Sequence, residues 1–308
     1  MATRSRTRVR AKPVIEPTDK LKFLADISHD DPHRWICEIC LRGHRIYPVT
    51  ILRMDFDEYL FSSCPQIQEF NAMTYGDPGF RVDPRLRKLD HRHVQLALKW
   101  TRLRNMAYKP ILDQIMRSSN WAKLPTTKPE PPIEYRTTPK IVLSKDKLKF
   151  LLRSEWRFPQ IGWVQAEHGI VGDTRICPHI YAIGRGPSYR GGTPLDVSVL
   201  KSRDNHTKLG QSETEFKCEF CATDYSISWG DDKWLLLTSW QDFGPETSPT
   251  DLLWRSHCID GLVPVIHSRG MIRRMYEKQP AVTYGPTLMD GSSTKLSLDY
   301  ILNSRQNT

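Results

Sequence analysis

The sequence predicts an α+β fold, with a helical N-terminal module and an antiparallel β-rich C-terminal module. Three observations carry this. Residues 85–117 repeat apolar side chains at helical spacing, whereas the chain beyond 139 breaks into short runs rich in Ile, Val, Leu and Phe that polar turn residues bound. Between them, PTTKPEPPIEYRTTP at 125–139 places five prolines in fifteen residues and reads as an extended connector. The 308 residues suffice for one large core or two smaller ones, at roughly 100–200 residues per domain.

Element by element, residues 1–30 read as a basic mobile arm with a short apolar segment, LKFLADI, at 21–27. A cysteine-bearing helical module follows at 31–124. Its main helix carries Leu86, Leu89, His93, Leu96, Ala97, Trp100, Leu103 and Ala107 on one apolar stripe. Pro110 suits a first helical turn and not a helix interior, which predicts a break near Tyr108 or Lys109 and a second short helix through Met116. After the connector at 125–140, a β-rich module spans 141–275. KIVLSKDKLKFLLRSEWRF predicts two strands about a turn at Ser144–Asp146, and the Gly- and Pro-rich 184–194 leads into an irregular polar connection reaching Glu215. YSISWGDDKWLLLTSW, 225–240, predicts a hairpin in which a two-residue Asp231–Asp232 turn sets Trp229 opposite Trp234. TDLLWR predicts a helical turn, and 276–308 reads as a loosely ordered tail.

The formal charge of +10 is concentrated. Residues 1–12 hold five basic groups and no acidic one, and 85–123 hold ten basic and two acidic, so the remainder sums to 10 − 5 − 8 = −3. On the predicted helix, Arg85, Lys88, Arg92, Lys99 and Arg102 form a basic stripe. Such a stripe offers phosphate contact, although aromatic residues that would stack on bases are missing from it. No run of 18 apolar residues and no apolar leader segment occurs, so the expectation is an intracellular protein of the cytoplasm or nucleus without a membrane partner.

Seven cysteines in a chain of this length do not make a secreted disulfide framework. They include two C-x2-C pairs, WICEIC at 35–40 and CEFC at 218–221, where chance placement gives roughly 0.15 such pairs. A C-x2-C knuckle brings two thiolates to within about 2.3 Å of one Zn²⁺ and supplies half of a tetrahedral site. For Cys218 and Cys221 the partners read from the sequence are Cys177 and His179 of CPH, which stand on one side of an extended segment; His257 and Cys258 are alternatives. For Cys37 and Cys40, Cys64 is the third ligand. The fourth is His44 or His93; His93, pointing inward from the apolar stripe, is the expected ligand, although a histidine on an apolar helix face is more often a hydrogen-bonded core residue. Four thiolate-rich ligands describe a closed structural zinc site, not a catalytic one.

The order of C-x2-C-L, HVQLALKWTR at 93–102, PKIVLSKDKLKFLLRSEW at 139–156, CPHI, CEFCATDYSI and SWQDFGPETSPTDLLWR at 239–255 resembles a family of uncharacterised filamentous-fungal proteins. Some members carry an N-terminal F-box, and the resemblance implies that the remaining domain would bind a target for ubiquitination. Residues 1–30 lack an LPxEL-like start and are too short for that box. DFG at 242–244 stands without a Gly-rich loop, HRD or APE and reads as a turn, and GRGPSYRGG has no Walker lysine. The expectation is therefore a non-enzymatic protein that recognises another macromolecule on a zinc-stabilised scaffold. The partner is most simply a protein, met through tryptophans around Trp229, Trp240 and Trp254, with nucleic acid as the alternative.

Overall fold

The computed structural model describes residues 16–46, 64, 89, 91–123, 133–159, 174–181, 193–230, 234–258 and 264–282. These form a mixed α+β fold whose frame is a six-stranded antiparallel sheet.

The first element is helix α1, Pro17–Ile27, with proline in its first turn and Asp19 near the positive end of its dipole. It replaces the last part of the expected mobile arm; residues 1–15 lie outside the described residues. Strands β1, Arg34–Cys37, and β2, Arg42–Arg45, form a small hairpin. Helix α2, His91–Leu103, a 3-10 turn at Met106–Tyr108 and helix α3, Lys109–Ile115, follow. The break falls where Pro110 predicts it, and Pro110 occupies the first turn of α3. Trp100 stacks on Tyr108 with centroids 4.5 Å apart, which folds the two helices back on each other.

Helix α2 corrects the expectation of one buried stripe and one basic stripe, because every residue from His91 to Thr101 is buried. Lys99 lies in the interior, where its Nζ donates to the carbonyls of Ser28 at 2.7 Å, Asp31 at 3.3 Å and Arg34 at 2.8 Å. Burial lowers its pKa to about 8. Arg92 lies over the Trp35 ring, and Arg102 binds Glu246 and Asp30. These three cations hold the fold together instead of facing solvent as a stripe; Arg85 and Lys88 lie outside the described residues.

Strand order in the large sheet is β3 (Ala122–Lys123), β4 (Glu134–Ser144), β5 (Lys147–Pro159), β11 (Trp234–Pro245), β10 (Thr223–Trp229) and β9 (Glu213–Lys217). Residues 134–140, expected in the connector, belong to β4, whose β-branched and aromatic residues pair with β5 from Glu134↔Arg157 to Ser144↔Lys147. The β4–β5 turn falls where expected. Lys145 and Asp146 both adopt left-handed conformations, φ 47° and 65°, as a two-residue type I′ hairpin requires.

The β10–β11 hairpin exists, but its register differs by one residue. Trp229 faces Leu235, and Gly230 N–H donates to Trp234 O; the expected Asp231–Asp232 turn lies outside the described residues. A one-residue slip sends the two tryptophans to opposite faces of the sheet. Trp229 enters the core and Trp234 stays half-buried on the other side.

The inner face carries two buried clusters. One packs Trp35, Trp100, Tyr108 and Ile111 against Ile141, Phe150, Leu152, Phe243 and Trp254, so it draws on both sides of the expected 125–140 boundary. The other surrounds Trp156, Ile227 and Leu237. Covering it are a three-stranded sheet, β6 (Arg175–Cys177), β7 (Ile180–Tyr181) and β8 (Thr193–Pro194), and helix α4, Leu195–Leu209. Helix α4 replaces the expected irregular connection. Its inward residues Leu195, Ser198, Val199 and Ser202 have helical spacing, but two are serines, which hides the apolar stripe. Those serines bond instead: Ser198 Oγ meets Tyr225 Oη at 2.8 Å, and Ser202 Oγ accepts from Trp229 Nε1 at 3.0 Å.

Helix α5, Leu252–Ser256, begins at Asp251, whose side chain caps Leu253 N–H. Helix α6, Met271–Lys278, crosses the outer face of the sheet through Ile272 and Tyr276, which pack on Val142, Leu151 and Trp240. The expected tail boundary at 276 therefore falls inside a helix; residues 283–308 lie outside the described residues. DFG lies at the end of β11, at an irregularity between Asp242 and Pro245, with Gly244 at φ 86° and Asp242 paired to Lys149 at 2.5 Å. No described helix is long and apolar enough to cross a membrane.

Candidate metal centres

Among the described residues, two groups of four ligand-bearing side chains converge, each with its donor atoms within 4.8 Å of one another: Cys37, Cys40, His44 and Cys64, and Cys177, His179, Cys218 and Cys221.

The first is built on the β1–β2 hairpin. Cys37 ends β1, and Cys40 sits in the turn before β2, which Leu41 closes at φ 53°. In this register Trp35 faces His44, and strand alternation places Cys37, Trp35 and His44 on one face. Trp35 stacks on the His44 ring at 4.7 Å, while His44 Nε2 lies 2.9 Å from Cys40 Sγ. Cys64 reaches in from outside the hairpin, with its Sγ 3.8 Å from Cys37 Sγ. Two sulfurs bound to one tetrahedral Zn²⁺ at about 2.3 Å stand about 3.8 Å apart, so this pair already spans a tetrahedral edge.

His93 is the exception to the sequence reading. It is buried on α2, outside the cluster, and His44 takes the place assigned to it. The signal for His44 was its position four residues beyond the knuckle, on the return strand of a hairpin that the spacing itself forces.

The second centre joins three elements. Cys218 and Cys221 lie in the turn between β9 and β10, Cys177 ends β6, and His179 is in the turn before β7. Cys177 pairs with Ile180, so CPH is a tight turn and not the extended segment expected. Both side chains nevertheless reach the knuckle. The Phe220 amide points at Cys218 Sγ at 3.4 Å, and Thr223 Oγ1 lies 3.2 Å from Cys221 Sγ. His179 stacks on Phe220 at 5.2 Å, which fixes its ring plane. His257 and Cys258 are buried elsewhere. His257 Nε2 meets Asp242 O at 3.1 Å, and burial pushes its pKa down to about 4.

Electrostatics separate the thiols. Burial drives Cys177 and Cys221 well above the ordinary thiol range, and Cys37 likewise. Hydrogen bonds from Cys177 and Cys221 pull Cys218 the other way, far below that range. Burial disfavours charge on most of these thiols, and a divalent cation at either cluster would offset the charge of the thiolates that ligate it. The donor set of three sulfurs and one imidazole nitrogen fits a closed tetrahedral site and leaves no position open for a substrate.

No family model, curated protein or solved structure matches this chain.

Proposed function

We propose that the chain is a non-enzymatic recognition protein, acting on another protein, whose scaffold is stapled by two structural zinc ions. The single observation that carries this reading is the pair of Cys3His clusters, each assembled from separate chain segments. In the N-terminal centre, Cys37, Cys40, His44 and Cys64 would hold the ion and pin the hairpin to the segment bearing Cys64. In the C-terminal centre, Cys177, His179, Cys218 and Cys221 would pin the small sheet to the large one. Ions held there would supply Lewis-acid cross-links between chain segments. The resemblance read from the sequence, to a family with some F-box members, would fit target binding as the role, in the cytoplasm or nucleus. Nucleic-acid binding finds less support, because Arg92, Lys99 and Arg102 are engaged within the fold.

Metal content by native mass spectrometry on chelator-washed, zinc-repleted protein tests the reading. Two zinc ions per chain are expected, one lost in Cys37→Ser and the other in Cys218→Ser, each with a lowered melting temperature. A metal-free chain with an unchanged melt would overturn it.

A further inference from the structure

The tryptophans expected at the recognition surface are inside: Trp229, Trp240 and Trp254 are 8%, 3% and 1% exposed. The outer face of the large sheet presents others. Strand alternation places Arg136 of β4, Arg153, Glu155 and Arg157 of β5, and Trp234 and Leu236 of β11 on that face, beside Trp121 at the β3 edge. Trp121, Trp234 and Leu236 are half-buried and Arg157 is exposed.

The cations of this patch are held in place and incompletely neutralised. Arg157 and Arg136 both lie over the Trp121 ring, 4.1 Å and 4.7 Å from its centroid. Arg136 grips Glu155 through two bonds, 2.5 Å and 3.0 Å, and Arg153 Nη2 donates to the same carboxylate at 2.7 Å. One carboxylate thus serves two guanidinium groups, and no carboxylate among the described residues pairs with Arg157. Arg153 Nε is buried without a hydrogen-bond partner among the described residues. Glu134 faces Arg157 across the strands but forms no ion pair with it. Cation–π contact with tryptophan restrains the guanidinium groups before any ligand arrives, which lowers the entropy lost on binding a carboxylate through paired N–H groups. Tryptophan and arginine are also the residue types that dominate binding energy at protein interfaces.

We propose that this patch of Trp121, Arg136, Arg153 and Arg157, rimmed by Trp234 and Leu236, docks an acidic peptide segment of a protein partner. The proposal deepens the recognition reading and rests on it. Charge complementarity selects the occupant: a peptide supplies spaced carboxylates for Arg157 and Arg153 together with apolar contact for Trp234 and Leu236. A nucleic-acid strand would instead compete with the arginines for the Trp121 face.

Fluorescence anisotropy of a labelled short polyglutamate peptide, with a neutral glutamine peptide and a labelled oligothymidylate beside it, tests this on full-length zinc-loaded protein. Arg157→Gln is the informative variant, because it removes a cation that makes no ion pair among the described residues and leaves the Glu155 network intact. Polyglutamate is expected to bind, the neutral peptide not to bind, and Arg157→Gln to weaken polyglutamate by about tenfold. Arg157→Lys should restore only part of the loss, since it keeps the charge and loses the planar fork. Equal affinity of wild type and Arg157→Gln overturns the assignment, as does no polyglutamate binding at all. Tighter oligothymidylate binding with the same sensitivity overturns it in favour of nucleic acid. Metal content on the same sample separates the two levels: a two-zinc protein indifferent to polyglutamate removes the docking surface alone, whereas a folded metal-free protein removes the scaffold reading.

Discussion

His44 and His93 differ in what holds them. His44 is aimed by a ring stack on Trp35 and by the register of a four-residue turn, whereas His93 is one of eleven consecutive buried positions on α2. His44→Ala is therefore expected to cost one of two zinc ions, and His93→Gln to cost none, as read by native mass spectrometry at equal protein concentration. The cysteine knuckles were legible because their chemistry is local: two sulfurs three residues apart need only a turn. The fourth ligand was not, since helical periodicity says that His93 points inward without saying toward what. The tryptophans failed for a related reason. Composition marks them as interface residues, but only the register of β10 against β11 decides which face each one takes.

Helix α6 shows how an element can depend on one remote carboxylate. Its first turn donates the amides of Ile272, at 2.6 Å, and Arg273, at 3.1 Å, to Asp224 Oδ2 on β10. The other Asp224 oxygen lies 3.3 Å from His267 Nε2. Burial works against the His267 imidazolium, but hydrogen bonding and attraction from Asp224 outweigh it, and its pKa is raised above 6.5. A raised folded-state pKa means that protonation favours folding. The contribution is complete below pH 6.5 and is lost as pH rises through the folded value. Melting temperatures of wild type and His267→Gln should therefore differ below pH 6.5 and converge as pH rises through the folded value; a constant gap would contradict the coupling. The sequence did not show α6, because a helix of eight residues that starts from a left-handed Gly270 and is capped from another strand carries no start signal of its own. The β4–β5 hairpin was legible, since both strands and their two-residue turn are written contiguously.

At the scale of the molecule, the proline-rich stretch reads as a hinge between two modules, yet the cluster around Trp100 and Tyr108 is completed by Ile141, Phe150, Leu152, Phe243 and Trp254 from beyond it. Composition marks a boundary in backbone stiffness; it does not mark where apolar faces meet. A fragment ending at residue 124 should leave Trp100 and Ile111 without their covering surface. Such a fragment with zinc is expected to show no cooperative thermal transition by circular dichroism, where the whole chain shows one. A sharp melt for the fragment would restore the two-module description. Charge behaves in the same non-local way: the basic excess of 85–123 reads as a surface, but Lys99 spends its three donors on backbone carbonyls of the α1–β1 connection.

The position of β5 in the sheet has a consequence for synthesis on the ribosome. Its partner β11 starts 75 residues after it ends, 234 − 159, so at about 5–20 residues per second one edge of β5 waits roughly 4–15 s for its neighbour. During that interval a long strand paired only with β4 is a template for the wrong chain. Arg153, Glu155 and Arg157, alternating along its outer face, place charges on that edge and oppose such pairing. The residues that would later meet an acidic partner would thus also disfavour mispairing of the nascent strand.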